Sequence, residues 1–313
     1  MSERVDVVMG GPGREAAVSR NSGTAIAAAL AGAGYDVHII EIDDRLALGD
    51  LRDDSVVFNI VHGTYGEDGV LQAELDAAGR VYVGSDAAAS ALCMDKELTK
   101  VRLREHDLPV PWGYAFNPRA LTDPRDIKPP VFTGFVLKPQ RDGSSVGLHL
   151  LPSLSFLLPA LEEVVAEIGA VPMLLEERLT GDEYTVAIVE DESGQAQALP
   201  PIRIVPATDS YDYHAKYQAD DTRYDIIDGE PAPRLQALAV AAYQACGCRD
   251  FARVDLMAGG DGDLRILEVN TLPGFTSHSL VPKAAAAAGM DFATLCSRLV
   301  ALAARRLSQQ GEH

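Results

Sequence analysis

The segment that most constrains this chain runs from Arg253 to Asn270. Polar and apolar residues alternate through Arg253-Val254-Asp255-Leu256 and again through Leu267-Glu268-Val269-Asn270, with Gly259-Gly260-Asp261-Gly262 between them. Period-two alternation predicts two strands, over 251–258 and 264–270, and the glycine-rich turn predicts that they pair as a hairpin. Arg253 and Asp255 then share one face of their strand, Glu268 and Asn270 share a face of theirs, and both pairs can line one surface. Asp, Glu and Asn oxygens converging on one spot suit a hard cation, with Mg²⁺ shared with nucleotide phosphates the usual occupant. An amphipathic hairpin whose polar face simply meets solvent accounts for the same pattern equally well. The adjoining Thr271-Leu272-Pro273-Gly274-Phe275-Thr276 favours a site, because a rigid polar turn sets backbone donors beside those oxygens.

The N-terminal stretch has a different pattern. Strands predicted over 5–9, 35–42 and 55–60 alternate with helices over 19–33 and up to Gly79, joined by glycine turns. That alternation predicts a parallel sheet with helices on its faces, forming a domain over residues 1–85. A helix over 87–106 stops before Pro109 and Pro111, which cannot continue it. Proline-rich connections, a hairpin of strands at 135–137 and 148–150, a helix over 153–168 and a strand over 173–179 make a second domain, 86–179. The remainder, 180–313, holds strands over 184–190 and 196–205, a polar tyrosine-rich loop over 206–225, a helix over 233–245, the hairpin and closing helices. The fold class is α/β, with α+β character in the last two parts.

Composition sharpens the search for a ligand. A chain of 313 residues exceeds a single hydrophobic core. Its 27 Lys and Arg against 46 Asp and Glu leave a net charge of −19, which argues against nonspecific nucleic-acid or membrane partners. A body this acidic binds a polyphosphate only where its few cations converge. The cysteines Cys93, Cys246, Cys248 and Cys296 form no C-x-x-C pair, so reduced thiols are expected and a structural zinc site is not. No apolar run approaches the roughly 20 residues of a membrane span, and no signal-peptide core follows Met1, so a cytoplasmic location is expected.

A second constellation is Lys138 at the end of an apolar strand, followed by Arg141-Asp142-Gly143-Ser144-Ser145-Val146-Gly147. A lysine there can meet phosphate as a point charge while a Gly-Ser-Ser tip closes over it with backbone N–H groups. Alone, the loop is better explained as a surface hairpin with a snorkelling lysine, and G-x-x-x-x-G-K-[ST] is absent. Gly10-Gly11-Pro12-Gly13 does not fit G-x-G-x-x-G, so hydride chemistry has little support; the turn more simply presents a ligand-facing loop through Glu15. His62 alone reads as a structural histidine.

Taken in order, these segments resemble the D-alanine–D-alanine ligases of the ATP-grasp superfamily, over nearly the whole chain. The resemblance rests on Gly10-Gly11 with Glu15 and Val18-Ser19, His62-Gly63 with Gly66-Glu67-Asp68-Gly69, Met94-Asp95-Lys96, and Leu137-Lys138-Pro139 with 143–147. It continues through Glu183-Tyr184-Thr185-Val186, the run Tyr211 to Tyr217, Arg253, Asp255, Glu268-Val269-Asn270, Pro273-Gly274-Phe275-Thr276 and Ser279-Leu280. The family implies a three-domain ATP-grasp architecture in which the last two domains sandwich ATP, and a homodimer.

It also implies residue roles. Lys96, Lys138, Ser145 and Lys216 would hold ATP phosphates, Glu176 and Leu179 would meet adenine, and Glu183 the ribose. Asp255, Glu268 and Asn270 would carry two Mg²⁺ ions, with Mn²⁺ as a substitute. The implied reaction activates one D-alanine as an acyl phosphate and joins it to a second, for peptidoglycan precursor synthesis. Glu15 would hold the first ammonium with His62 near the carboxylate, Arg253 and the Gly274 N–H would stabilise the oxyanion, and Ser279 and Leu280 would receive the second carboxylate. Glu15, Ser144 and Tyr217 would tie the loops shut. Tyr217 stands where ester-forming relatives usually carry histidine, which favours the amide. Pro12-Gly13, Ala16-Ala17 and Glu177 depart from the usual family residues. The alternatives are a sister ligase using D-serine or D-lactate, and an inactive ATP-binding regulatory relative.

Overall fold

The computed structural model describes residues 3–310 apart from 122, 124–126, 131–133, 142, 144–145 and 207–221. Three sheets organise it. β1 (Arg4–Gly10), β2 (Asp36–Ile42) and β3 (Ser55–Asn59) form a parallel sheet in the order β2-β1-β3. β4 (Gly113–Phe116), β5 (Phe135–Pro139), β6 (His149–Leu151) and β7 (Met173–Glu177) form an antiparallel sheet ordered β4-β7-β5-β6. The third sheet runs β11-β10-β8-β12-β13, from β8 (Glu183–Glu190), β10 (Ile202–Val205), β11 (Arg223–Ile226), β12 (Phe251–Ala258) and β13 (Leu264–Asn270). Short β9 (Ala196–Ala198) pairs with β8.

The first strand–helix joint shows why the N-terminal region folds as it does. In α1 (Ala16–Gly32) the buried residues Ser19, Gly23, Ile26 and Leu30 recur at helical spacing toward the sheet, and α2 (Val70–Ala77) buries Leu71 and Leu75 against it. Gly10 holds φ +96°, and a Cβ there would lie 2.2 Å from the Ile42 carbonyl oxygen, so glycine alone fits the turn. Ser19 Oγ accepts the Gly10 N–H at 2.9 Å and donates to the Ile60 carbonyl at 2.6 Å, tying α1 to the ends of β1 and β3.

The hydrophobic core crosses the limits suggested by chain order. Val5, Val7, Ile26, Leu30 and Phe58 share a buried cluster with Phe251, Phe275, Leu295, Leu299 and Val300, so the closing helices α7 (Leu280–Ala287) and α8 (Phe292–Gln310) pack on the N-terminal layer. A buried ion pair reinforces the seam: Arg306 reaches Asp250 at 2.7 Å and donates to the Tyr82 carbonyl.

Two segmentations differ from the sequence reading. The single helix expected over 87–106 is two, α3 (Ala87–Met94) and α4 (Lys96–Glu105), because Asp95 turns extended (φ −94°, ψ 102°) and caps α4 through the Leu98 N–H at 3.0 Å. The strand expected over 196–205 is broken into β9 and β10 at Pro200-Pro201, which carry no N–H for a ladder. α5 (Leu157–Ile168) and α6 (Ala232–Ala245) cover the remaining sheet faces. All four cysteines are free and buried, as reduced thiols would be, and Cys246 sits at the end of α6. No single helix among the described residues is long and apolar enough to cross a membrane.

Candidate active site

The hairpin builds the first wall. In β12 and β13, Arg253 pairs in register with Asn270 and Asp255 with Glu268, and a bulge follows Asp255. All four side chains therefore share one face, as the alternation predicts. Asp255 is buried and fully engaged: Arg253 donates to both of its oxygens at 2.9 and 2.7 Å, Thr185 Oγ1 at 2.6 Å, and Asn270 Nδ2 at 3.0 Å. A bidentate guanidinium–carboxylate pair with two further donors fixes both groups in one geometry.

The second wall carries the lysines. Lys138 stands on β5, and Glu176 stands on β7 diagonally across from it. Lys138 Nζ lies 2.6 Å from Glu176 Oε2, and Lys100 of α4 pairs with Oε1 of the same carboxylate. Burial works against charge on all three. The two lysines overcome it for Glu176, whose carboxyl is held below its ordinary range. Burial also opposes the Lys138 charge, but Glu176 and Glu268 outweigh it and raise Lys138. Lys100 is pushed down to about 8, by burial first, with Glu176 opposing and Lys138 and Lys96 adding to the fall.

Asp95 locks this wall together. It accepts from Gln140 Nε2 and Arg141 Nε at 2.7 Å each while capping α4, and the Lys96 N–H donates to the Gln140 carbonyl at 3.0 Å. The start of the lysine helix is thereby pinned to the loop that follows Lys138.

The third wall comes from the N-terminal loops. His62 is buried, its Nδ1 3.0 Å from the Leu272 carbonyl, while Nε2 is buried with no hydrogen-bond partner among the described residues. Burial, aided by the charge on Arg253, depresses the ring to about 4 against the help of that carbonyl. A neutral ring donates from Nδ1 and leaves a lone pair on Nε2. Glu67 accepts the Gly63 N–H at 2.9 Å and is pushed up to about 8, by burial first and then by the charge of Glu15. Glu15 itself lies between two loops: a Cβ on Gly63 would be 3.0 Å from its Oε2, and one on Gly143 3.4 Å.

The turn over 271–276 closes the floor. Phe275 is fully buried, its ring 5.4–6.1 Å from those of Phe251, Phe292 and Phe58, and its N–H donates to Ser22 Oγ. Beside it, Thr276 N–H donates to Ser279 Oγ at 2.9 Å, where α7 begins.

The walls enclose a cleft of about 1310 Å³, of a size for a nucleotide and small substrates. Every described residue singled out from the sequence lines it. Glu15 and His62 come from the N-terminal layer, and Lys96, Lys138, Glu176 and Leu179 from the middle. Glu183, Arg253, Asp255, Glu268, Asn270, Gly274, Ser279 and Leu280 come from the last third. Ser144, Ser145, Lys216 and Tyr217 lie outside the described residues. Sequence reasoning missed Lys100, and gave Glu67 no role. Lys100 sits four residues after Lys96, so the two share a helical face, a spacing that could have exposed it.

The family described as D-ala D-ala ligase C-terminus matches residues 124–301. A D-alanine–D-alanine ligase of Actinobacillus succinogenes is 39% identical over 307 residues, covering 96% of this chain and 97% of that protein. The chain belongs to the D-alanine–D-alanine ligase family. Among solved structures of this family, the Bacillus anthracis ligase superposes with TM-score 0.86 at 31% identity, covering 99% of this chain and all of that one. The same ligase complexed with ATP gives TM-score 0.84 at 30% identity, with the same coverage. Membership settles the fold as ATP-grasp and the enzyme class as ATP-dependent ligase.

Proposed function

We propose that the chain joins two D-alanines at the expense of ATP, with the roles below carried by the residues that meet in the cleft. The observation that carries this reading is the convergence on one cleft of Lys138, Arg253 and the Asp255–Glu268–Asn270 set from separate sheets, in a protein of −19 net charge. Lys96 and Lys138 neutralise ATP phosphates, Leu179 and the β7 backbone at Glu176 meet adenine, and Glu183 meets ribose. Ser145 and Lys216 add phosphate contacts from segments outside the described residues.

The first D-alanine carboxylate attacks the γ-phosphorus, giving an acyl phosphate and ADP; positioning and charge neutralisation supply most of the catalysis. Glu15 holds that substrate's ammonium. The neutral His62, its Nε2 lone pair free, suits the ammonium side of the substrate better than its carboxylate. The second D-alanine, its carboxylate at Ser279 and Leu280, attacks the acyl carbon through its free amine. The Arg253 guanidinium and Gly274 N–H stabilise the oxyanion, and collapse expels phosphate and leaves the amide. Ser144 and Tyr217, with Glu15, close the loops against water. A Cβ on Gly143 would lie 3.4 Å from Glu15 Oε2, which supports that reading.

Asp255, Glu268 and Asn270 fit a divalent cation by chemistry: all are oxygen ligands, two of them opposite each other in register, and an ion there would take the place of a donor that Asp255 now engages. The described residues hold no group of three His, Cys, Asp or Glu side chains arranged for a metal, so Asn270 and phosphate oxygens would have to complete the shell. Mg²⁺ bound there would neutralise phosphate charge. We further propose a homodimer, a cytoplasmic location where ATP is supplied, and domains over 1–85, 86–179 and 180–313.

The test is phosphate release from ATP and Mg²⁺ with product mass, comparing D-alanine, L-alanine and no amino acid. D-alanine-dependent release with a D-alanyl-D-alanine product is expected. ATP binding without D-alanine-dependent release would overturn the reading. Preference for D-lactate over D-alanine as acceptor at neutral pH would overturn the amide assignment.

A further inference from the structure

Glu176 sets a problem for the phosphate site. A carboxylate 2.6 Å from Lys138 Nζ forms a neutral pair with it, and a neutral pair attracts phosphate weakly. The structure supplies a third charge. Lys100 pairs with the other Glu176 oxygen, its side chain is fully buried, and it does not line the cleft. It therefore cannot touch ATP and can act on it only through Glu176. The two carboxylate oxygens serve one lysine each, so the buried triad carries a net charge of about +1, and Lys138, 13% exposed, is the lysine of the triad that faces the cleft. α4 is held in place for this by Asp95, which binds the residues just past Lys138.

We propose that Lys100 is a positioning residue for ATP: it neutralises Glu176 so that Lys138 presents a full positive charge to the phosphates. This rests on the reading of Lys138 as a phosphate ligand. The depressed titration of Lys100 fits a lysine that keeps its proton only through that pairing. A purely structural Lys100 would satisfy Glu176 and leave nucleotide affinity untouched once the fold was preserved.

The experiment compares KM for ATP, KM for D-alanine, kcat and melting temperature in Lys100→Met, Glu176→Gln, the double variant and Lys138→Ala. In Lys100→Met, Glu176 stays charged beside Lys138, and the ATP KM should rise about tenfold, the scale of one uncompensated charge near phosphate at an interior dielectric. The D-alanine KM should be unchanged. In the double variant the carboxylate is also gone, and the ATP KM should lie within about threefold of that of Glu176→Gln alone. Glu176→Gln alone is the reference that absorbs any contact of Glu176 with adenine, and this variant and the double decide the matter if Lys100→Met does not fold. A folded Lys100→Met with parental ATP KM, or a double variant with an ATP KM about tenfold above that of Glu176→Gln, would overturn the inference. A Lys138→Ala enzyme with parental ATP KM would overturn the phosphate-site reading and this inference together. An impaired Lys138→Ala beside an unaffected Lys100→Met sinks the inference alone.

Discussion

The hairpin wall and the lysine wall both bury charge beside the same cleft, but they compensate it in different ways. On the hairpin, Arg253 satisfies Asp255 two residues away on the same strand, and Asn270 and Thr185 complete the shell from the adjoining strands. On the lysine wall, Glu176 is satisfied by Lys138 on a neighbouring strand and by Lys100 on a helix 76 residues earlier in the chain. Compensation within the sheet needs only correct pairing of β12 with its neighbours β13 and β8. Compensation across a helix and a sheet needs the middle layer packed first. The hairpin wall should therefore be rigid and autonomous, the lysine wall sensitive to how α4 sits.

That contrast can be broken most forcefully at Phe275, which anchors the hairpin's following turn to the N-terminal layer. Phe275→Ala removes a fully buried ring from a four-phenylalanine cluster and should cost about 3–5 kcal/mol of unfolding free energy. Denaturant unfolding measures it; a loss well under 1 kcal/mol would mean that the turn is held by its hydrogen bonds alone. Next, Arg253→Met removes the proposed oxyanion donor and the partner of Asp255. A fall of about 10²–10³ in kcat is expected. A fall in ATP affinity with kcat intact would move Arg253 from the acyl centre to the nucleotide.

The same contrast explains what the sequence disclosed. The hairpin was legible because alternation, a glycine turn and polar pairs lie within 18 residues, and register follows from them. Lys138 before its Gly/Ser loop reads alone as a surface lysine, and only the ordered family motifs single it out. Lys100 was not legible, because its partner is fixed by tertiary packing, and a lysine in a helix of Lys, Glu and Arg looks like a solvated face. The break at Asp95 was hidden for a similar reason: the residues on either side are good helix formers, and only the contacts to Gln140 and Arg141 show why the chain leaves the helix there. The packing of α7 and α8 on the N-terminal layer also escaped, since hydrophobic periodicity shows which face is buried and not against what.

The lysine wall's dependence on α4 is tested at Asp95. Burial opposes its ionisation, yet donors from Gln140, the Leu98 N–H and Arg141 hold it below its ordinary value. Asp95→Ala should cost about 1 kcal/mol through the lost cap. It should also raise the ATP KM while leaving the D-alanine KM unchanged, because Lys96 and Lys100 lose their anchor. Asp95→Asn, which keeps an acceptor for the cap, should recover part of the stability. Equal effects on both KM values would show that the two walls move as one.

The smallest effect expected lies at Glu67, where the charges of the hairpin are felt from the N-terminal loops. Burial and the charge of Glu15 raise its carboxyl to about 8, the Gly63 N–H and Arg253 oppose the rise, and Glu268 adds to it. Because the folded value lies above the unfolded one, near 4.5, the folded state keeps a proton that the unfolded chain releases. The resulting stabilisation is complete below about pH 4.5 and is lost as pH rises through about 8. Glu67→Gln cannot ionise, so its melting temperature should match the parent's near pH 5 and exceed it by a few degrees near pH 9. A constant difference across that range would mean that Glu67 is ionised in the folded protein at neutral pH. In the Arg253→Met background one opposing charge is absent, so the pH at which the difference between the two melting curves stops growing should move upward. If it does not move, the hairpin's charges are compensated so completely on their own strands that nothing outside feels them, which is the strongest form of the contrast.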